Sequence, residues 1–298
     1  MFTGLSAFPL TPLSNDTVDE AAYEGLLQRL VAAKVDSITA LGSTGSYMYL
    51  DRNERRRVAE IAVDTAGPIP VFVGIGALRT SQVVALAEDA QQAGASAVLL
   101  APVTYQALTD DDVFGLFEDV TANLSVPLIV YDNPGTTHVT FTDDLYESIA
   151  KLPHVASIKI PGVPDGAAHA AARVAAIRER IPASVTIGVS GDGFAAAGLN
   201  AGCDAWYSVI GGTLPDPALA ITRAAQAGDS AGALAESDRL QPLWSLFAEL
   251  GGSYRVVAAI AEHLGLVPEN SLPRPVRGLS AADRSRIADV VAALGLGG

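Results

Sequence analysis

Lysine is scarce in this chain: 298 residues contain Lys34, Lys151 and Lys159 against sixteen arginines. General positive charge is therefore supplied by arginine, and a lysine inside the apolar stretch Ser157-Ile158-Lys159-Ile160-Pro161 calls for its own reason. Arginine stays protonated, whereas a desolvated lysine can give up its proton. A neutral amine in an apolar interior attacks carbonyls and forms a Schiff base. The plainer alternative is a strand-end lysine paired with a carboxylate. Tyr131 ends the apolar run that precedes the lysine's own, so its phenol can serve the same place as a proton carrier for carbinolamine dehydration and bond cleavage. It reads equally as a core tyrosine with a satisfied hydroxyl. Gly42-Ser43-Thr44-Gly45 offers two hydroxyls and closely approachable backbone N–H groups, which suit a carboxylate or phosphate. Those four residues also spell an ordinary turn.

These residues need elements to bring them together. Eight short apolar runs recur about 30 residues apart until the shorter last interval. They are Leu5–Phe8, Ser37–Leu41, Val71–Val73, Ala97–Leu100, Leu128–Tyr131, Ala156–Lys159, Val185–Gly188 and Ala205–Ser208. Near-continuous apolarity marks strands buried on both faces, hence a parallel sheet. Segments of helical period lie between them. Asp19-Glu20 opens one, Thr80-Ser81 caps another, and Thr109 with three aspartates begins a third. Eight strand–helix units predict an α/β fold of the TIM (β/α)8 barrel type, whose active site lies at the C-terminal ends of the strands. That rule selects the Gly42–Gly45 loop, Tyr131 to Thr137, Lys159, Ser190 to Gly193, and Tyr207-Ser208. The barrel is expected over residues 1–224, with a helical appendage over 225–298. In the appendage, Leu234 to Leu250 reads as one helix, Val256 to Leu264 as another, Pro268 to Arg277 as a connector and Ala281 to Leu294 as a terminal helix.

Composition removes several functions. Nineteen Lys and Arg against 33 Asp and Glu give a net charge of −14, which repels phosphate backbones and anionic membranes. Cys203 is the single cysteine and the four histidines show no ligand spacing, so no disulfide scaffold or Cys/His metal site is expected. Mean hydropathy is +0.31, yet no apolar run approaches the roughly 20 residues of a membrane span. The N-terminal residues lack a basic segment followed by an apolar one, and a cytoplasmic protein is expected. Gly191-Asp192-Gly193-Phe194-Ala195-Ala196 matches a dinucleotide fingerprint, but on the seventh repeat and with an acid that would repel pyrophosphate. No cofactor is expected.

Phe8-Pro9-Leu10-Thr11-Pro12, Gly42-Ser43-Thr44-Gly45, Tyr131 followed by Asn133-Pro134, Ile158-Lys159 and Leu272-Pro273-Arg274-Pro275 occur in that order on this pattern. In this the sequence resembles the dihydrodipicolinate synthase / N-acetylneuraminate lyase family of class I aldolases, over essentially its whole length. The resemblance implies that Lys159 forms the imine with pyruvate or another 2-oxo acid. It also implies that Tyr131 shuttles the proton, Ser43 relays through its hydroxyl, and Thr44 holds the carboxylate. A homotetramer built as two dimers is implied as well.

The departures bear on the substrate. Family members that make dihydrodipicolinate carry an arginine five residues after the tyrosine, for the carboxylate of aspartate semialdehyde. Here that position is Thr136, and a hydroxyl cannot replace a bidentate guanidinium. Asp192 stands where sugar-acid lyases of the family place a carboxylate for substrate hydroxyls. Thr136, Asp192, Tyr207 and Ser208 are therefore expected to bind substrate, and the expected partner is a hydroxylated 2-oxo acid of the 2-keto-3-deoxy sugar-acid type. Dihydrodipicolinate synthesis for lysine, and a non-catalytic protein that only binds 2-oxo acids, are the alternatives. The tyrosine that many synthases lend across a subunit interface falls near Thr104 or Tyr105.

Overall fold

The computed structural model describes residues 1–297. Eight parallel strands close into a barrel: β1 (Gly4–Ala7), β4 (Ser37–Ala40), β5 (Val71–Gly74), β6 (Ala97–Leu100), β7 (Leu128–Tyr131), β8 (Val155–Ile160), β9 (Thr186–Val189) and β10 (Ala205–Ser208). Each pairs with its neighbours in sequence and β10 closes on β1. All eight runs are strands, within a residue or two of the predicted bounds. A short antiparallel hairpin, β2 (Leu13–Ser14) with β3 (Thr17–Val18), precedes the first helix and was not expected. Its turn is Asn15-Asp16, both at positive φ, the backbone a tight hairpin demands and the one Asn and Asp tolerate.

Two apolar cores follow from the alternation of side chains along each strand. The barrel interior holds Phe2, Phe8, Phe72, Leu99, Ile129, Tyr131 and Tyr207. The larger core fills the space between the strands and the surrounding helices. Polar groups inside the barrel are paired: Ser6 with Thr39 at 2.8 Å and Ser157 with the Tyr207 hydroxyl at 2.7 Å.

The surrounding helices are α1 (Glu20–Ala33), α2 (Arg52–Ala66), α3 (Thr80–Gln92), α4 (Asp110–Thr121), α5 (Pro134–Thr137), α6 (Asp143–Ala150), α7 (Ala167–Arg178), α8 (Ala195–Asn200) and α9 (Pro215–Gln226). Asp19 caps α1 and Thr109 caps α4 as predicted, the latter in a reciprocal capping box with Asp112. Thr80 does not cap α3 but is its first residue, behind Arg79, whose side chain makes no capping bond. The helix α9 runs through residue 224, where the sequence pattern changes, to Gln226.

After it come α10 (Ser230–Arg239), α11 (Gln241–Glu249), α12 (Ser253–His263) and α13 (Ala281–Ala293). The single helix predicted from Leu234 to Leu250 is thus two, broken at Leu240. Pro242 in the first turn of α11 has no N–H and cannot continue the preceding helix. The tail shares the outer core through Leu240, Leu243, Val256, Ile260 and Ile287. No helix among the described residues is long and apolar enough to cross a membrane.

Candidate active site

A cavity of about 850 Å³ opens at the C-terminal ends of the strands. Lys159 on β8 and Tyr131 on β7 are register partners, so their side chains leave the sheet side by side. The lysine is buried, with its Nζ 3.7 Å from the Tyr131 ring centroid and 5.1 Å from that of Phe8. It makes no ion pair with any carboxylate among the described residues, so the paired-lysine alternative fails. Its amine sits against two aromatic faces and toward the cavity. Among the described residues, Lys159 is also the only cationic side chain in the cavity lining.

The Gly42–Gly45 loop is held over this amine by the sequence around it. Leu41 adopts φ 57°, an uncommon backbone for a branched side chain. Its carbonyl presses on Gly74, where a Cβ would collide with the oxygen, so only glycine fits there. Beneath lies Arg55, buried, donating to the carbonyls of Gly74 at 2.8 Å and Gly76 at 3.0 Å. Burial pushes its guanidinium down to about 10. The loop thus presents Ser43 and Thr44 to the cavity, and the Ser43 hydroxyl lies 3.4 Å from that of Tyr131.

A third partner was missed by sequence reasoning. Asn133 Nδ2 donates to the Tyr131 hydroxyl at 2.9 Å and reaches Ser43 Oγ at 3.5 Å. Lysine, phenol, hydroxyl and amide therefore form one cluster. Asn133 stands two residues after Tyr131 in a segment already singled out. Its type alone, between Asp132 and Pro134, looks like turn chemistry.

Asp132 points the other way, into the protein. Its amide donates to the Lys159 carbonyl at 3.0 Å and its carboxylate accepts from the Tyr146 hydroxyl at 2.5 Å. Burial pushes the carboxyl up to about 6, against the pull of the Tyr146 hydrogen bond, Arg173 and Lys159. From about pH 4 to 6 the folded chain keeps a proton that the unfolded chain has released. Stability at this residue therefore falls across that range by up to about 3 kcal/mol and stays level above it. Asp132→Asn is expected to lack that fall when denaturation midpoints are compared at pH 4 and pH 7. An equal fall in the variant would place its origin elsewhere.

Two of the residues expected to bind substrate do other work. Asp192 borders the cavity, but its oxygens are engaged by Trp206 Nε1, Ser208 Oγ and the Val209 amide, each at 3.1 Å, and by the Ile210 amide at 2.8 Å. Burial pushes its carboxyl upward, and those four hydrogen bonds oppose the shift. Ser208 donates to Asp192, accepts from the Gly211 amide at 2.9 Å, and does not line the cavity. Together they pin the turn after β9 to the end of β10. Asp192→Ala would strand several buried donors and is expected to cost roughly 3 kcal/mol or more, read as a lower denaturation midpoint. Tyr207 lines the cavity with its ring, while its hydroxyl is spent on Ser157 inside the barrel. Thr136 is exposed on α5 and faces the cavity.

The remaining wall comes from the tail, which sequence reasoning did not connect to the site. Gln241, Trp244, Phe247 and Tyr254 line it, and the Tyr254 hydroxyl bonds Ser46 at 2.6 Å, beside the Gly42–Gly45 loop. Phe194 faces them, 43% exposed, seated where Gly162 has no Cβ to obstruct its ring.

Comparison with known proteins gives the chain its family. A profile of the dihydrodipicolinate synthetase family matches residues 1–294. The 4-hydroxy-tetrahydrodipicolinate synthase of Phenylobacterium zucineum is 31% identical over 291 residues, covering 96% of this chain and 95% of its own. The enzyme of that name from Parvibaculum lavamentivorans is 32% identical over 302 residues and 99% of each chain. The crystal structure of a dihydrodipicolinate synthase from Agrobacterium tumefaciens superposes with a TM-score of 0.94 at 45% identity over 98% of both chains.

Proposed function

Because the chain belongs to the dihydrodipicolinate synthetase family of class I aldolase-type lyases, we propose that its Lys159 forms a Schiff base with pyruvate or another 2-oxo acid. The observation that carries this is the position of Lys159: a buried amine, free of any carboxylate, facing the cavity beside Tyr131. The neutral amine adds to the ketone carbon, and the carbinolamine loses water to give the iminium ion. The iminium draws in the electrons of the bond one carbon further on. That bond breaks to release a carbonyl fragment and leave an enamine, which a proton then quenches. Condensation is the same path reversed; a dehydratase would keep that bond, lose a proton from the carbon next to the iminium to form the enamine, and expel the hydroxyl one carbon further on as water. Tyr131 carries the proton, with Ser43 and Asn133 fixing its hydroxyl. Thr44 and the neighbouring amides hold the carboxylate.

The partner is open to two readings. The names of the curated relatives favour 4-hydroxy-tetrahydrodipicolinate synthase, and the comparisons by themselves support that reading better. The cavity favours an uncharged, hydroxylated fragment. Thr136 occupies the place of the synthases' arginine, and no arginine lines the cavity to receive a second carboxylate. With Asp192 and Ser208 engaged elsewhere, Thr136, Gln241, Tyr49 and Ser253 are among the groups left to meet hydroxyls. Tyr105, 89% exposed near the place of the lent tyrosine, and the exposed Met48 and Leu78 suit contacts between copies. This supports the homotetramer.

Borohydride reduction with pyruvate, followed by peptide mapping, tests the imine. An adduct on Lys159 is expected. No adduct with pyruvate or with longer 2-oxo acids would end the Schiff-base reading. A panel of 2-keto-3-deoxy sugar acids against pyruvate plus aspartate semialdehyde tests the partner. Efficient use of the semialdehyde would reverse the argument from Thr136 and leave the lysine chemistry standing.

A further inference from the structure

Far less positive charge than negative is available to this chain, and most arginines are consumed by ion pairs such as Arg52–Asp89, Arg178–Asp204 and Arg286–Glu249. Two neighbours are not. Arg274 and Arg277, on the connector between α12 and α13, have exposed side chains that make no ion pair or hydrogen bond with another described residue. Both line a cleft of about 240 Å³ together with Arg284, Asn270, Gly278 and Leu279. Arg29, Arg55, Arg79 and Arg255 likewise form no ion pair with a described residue, but Arg274 and Arg277 stand together on one cleft, where a chain with 33 carboxylates could have neutralised them.

The surroundings keep the cleft positive. Arg284, in the first turn of α13, is turned inward by Glu262 at 2.7 Å and by the Leu279 carbonyl at 3.1 Å. Gly278 allows this, since a Cβ there would lie 2.7 Å from an Arg284 nitrogen. Glu262 is the one carboxylate seen paired at the cleft. It is nearly buried, and it also accepts from the Asn270 amide at 2.9 Å. Arg255 adds a further guanidinium from behind, donating to the Arg277 carbonyl at 3.0 Å. The amides of Gly278 and Leu279 make no hydrogen bond to another described residue. Planar guanidinium forks lining a small concavity, with unbonded backbone amides among its residues, suit an oxyanion.

We propose that this cleft binds a small oxyanion bearing at least two negative oxygens, with Arg274 and Arg277 as its principal contacts. Phosphate and dicarboxylates share that chemistry. A volume of about 240 Å³ admits either but no extended polyanion, and the acidic remainder of the surface repels one. The site is separate from the chemistry at Lys159. It is tied to the barrel mouth through the backbone, because Arg255 adjoins Tyr254, the residue that bonds Ser46 beside the Gly42–Gly45 loop.

Calorimetric titration of the full chain at low ionic strength tests this, with inorganic phosphate and succinate as separate probes. A Lys159→Ala background removes the only cation of the barrel mouth, so binding there is not mistaken for the cleft. One site per chain is expected, weakening as sodium chloride is added. In the Arg274→Ala/Arg277→Ala double variant affinity should fall about tenfold or more, since two charge-assisted contacts are lost. Both side chains are exposed, so the double variant should melt at the parental temperature without ligand; Arg277→Gln provides a milder second test. A preference for phosphate or for succinate identifies which source the cleft serves. No binding of either probe, or unchanged affinity in the double variant, would overturn the proposal.

Discussion

Lys159→Met is expected to fold and to lose turnover of every 2-oxo acid by at least about 10⁴-fold, equivalent to over 5 kcal/mol of barrier. Methionine keeps the length and apolar stem of the side chain, so its contacts with Phe8 and Tyr131 survive while the amine does not. The loss comes from deleting a covalent route, since no other lysine lines the cavity to replace it. Borohydride trapping should vanish with turnover. Residual activity within tenfold of the parent would show that the reaction runs without the imine. A melting temperature close to the parent's separates loss of chemistry from loss of fold.

Tyr131→Phe removes one oxygen and should lower turnover by about 10²- to 10⁴-fold, the range for a positioned proton carrier. The ring that Nζ faces at 3.7 Å remains, so imine formation should slow but persist, and trapping should still label Lys159. That split distinguishes a proton shuttle from a residue that merely shapes the lysine's pocket. In the latter case trapping and turnover would fall together. Asn133 also loses its 2.9 Å acceptor in this variant. Asn133→Ala should therefore show a weaker version of the same split, a smaller drop in turnover with labelling intact.

The parts of the fold that could be read in advance are those governed by local rules. Four-residue apolar runs such as Leu128–Tyr131 admit few interpretations once eight of them recur, and Thr109 with Asp112 spells its own helix start. The hairpin at Asn15-Asp16 escaped because its strands are two residues long, too short for any period to emerge. The break at Leu240 was hidden by leucines that satisfy one helical stripe on either side of it. In the site, Lys159 and Tyr131 stood out because their types are costly to bury without purpose, and the strand register sets them side by side. Asp192 and Ser208 misled for the same reason. A buried acid and hydroxyl at a barrel mouth look poised for a substrate, and only their distances show that they serve each other and the β10 turn. The tail's contribution was unreadable. Nothing local tells Trp244 or Tyr254 which face of a barrel lies beneath it.

That contribution affects the order in which the protein becomes competent. The sheet and every residue of the lysine cluster are complete once β10 has been made, yet one wall of the cavity is written in residues 241–254. During synthesis the amine of Lys159 exists before the enclosure that selects what reaches it. A chain cut short or clipped between α9 and α11 would retain lysine, phenol and hydroxyls in an open bowl. Without Trp244, Phe247 and Tyr254 such a barrel would meet bulk water and any passing carbonyl compound. The last part of the cavity wall to be made is thus also the part that secures, at Ser46, a loop made about 200 residues earlier.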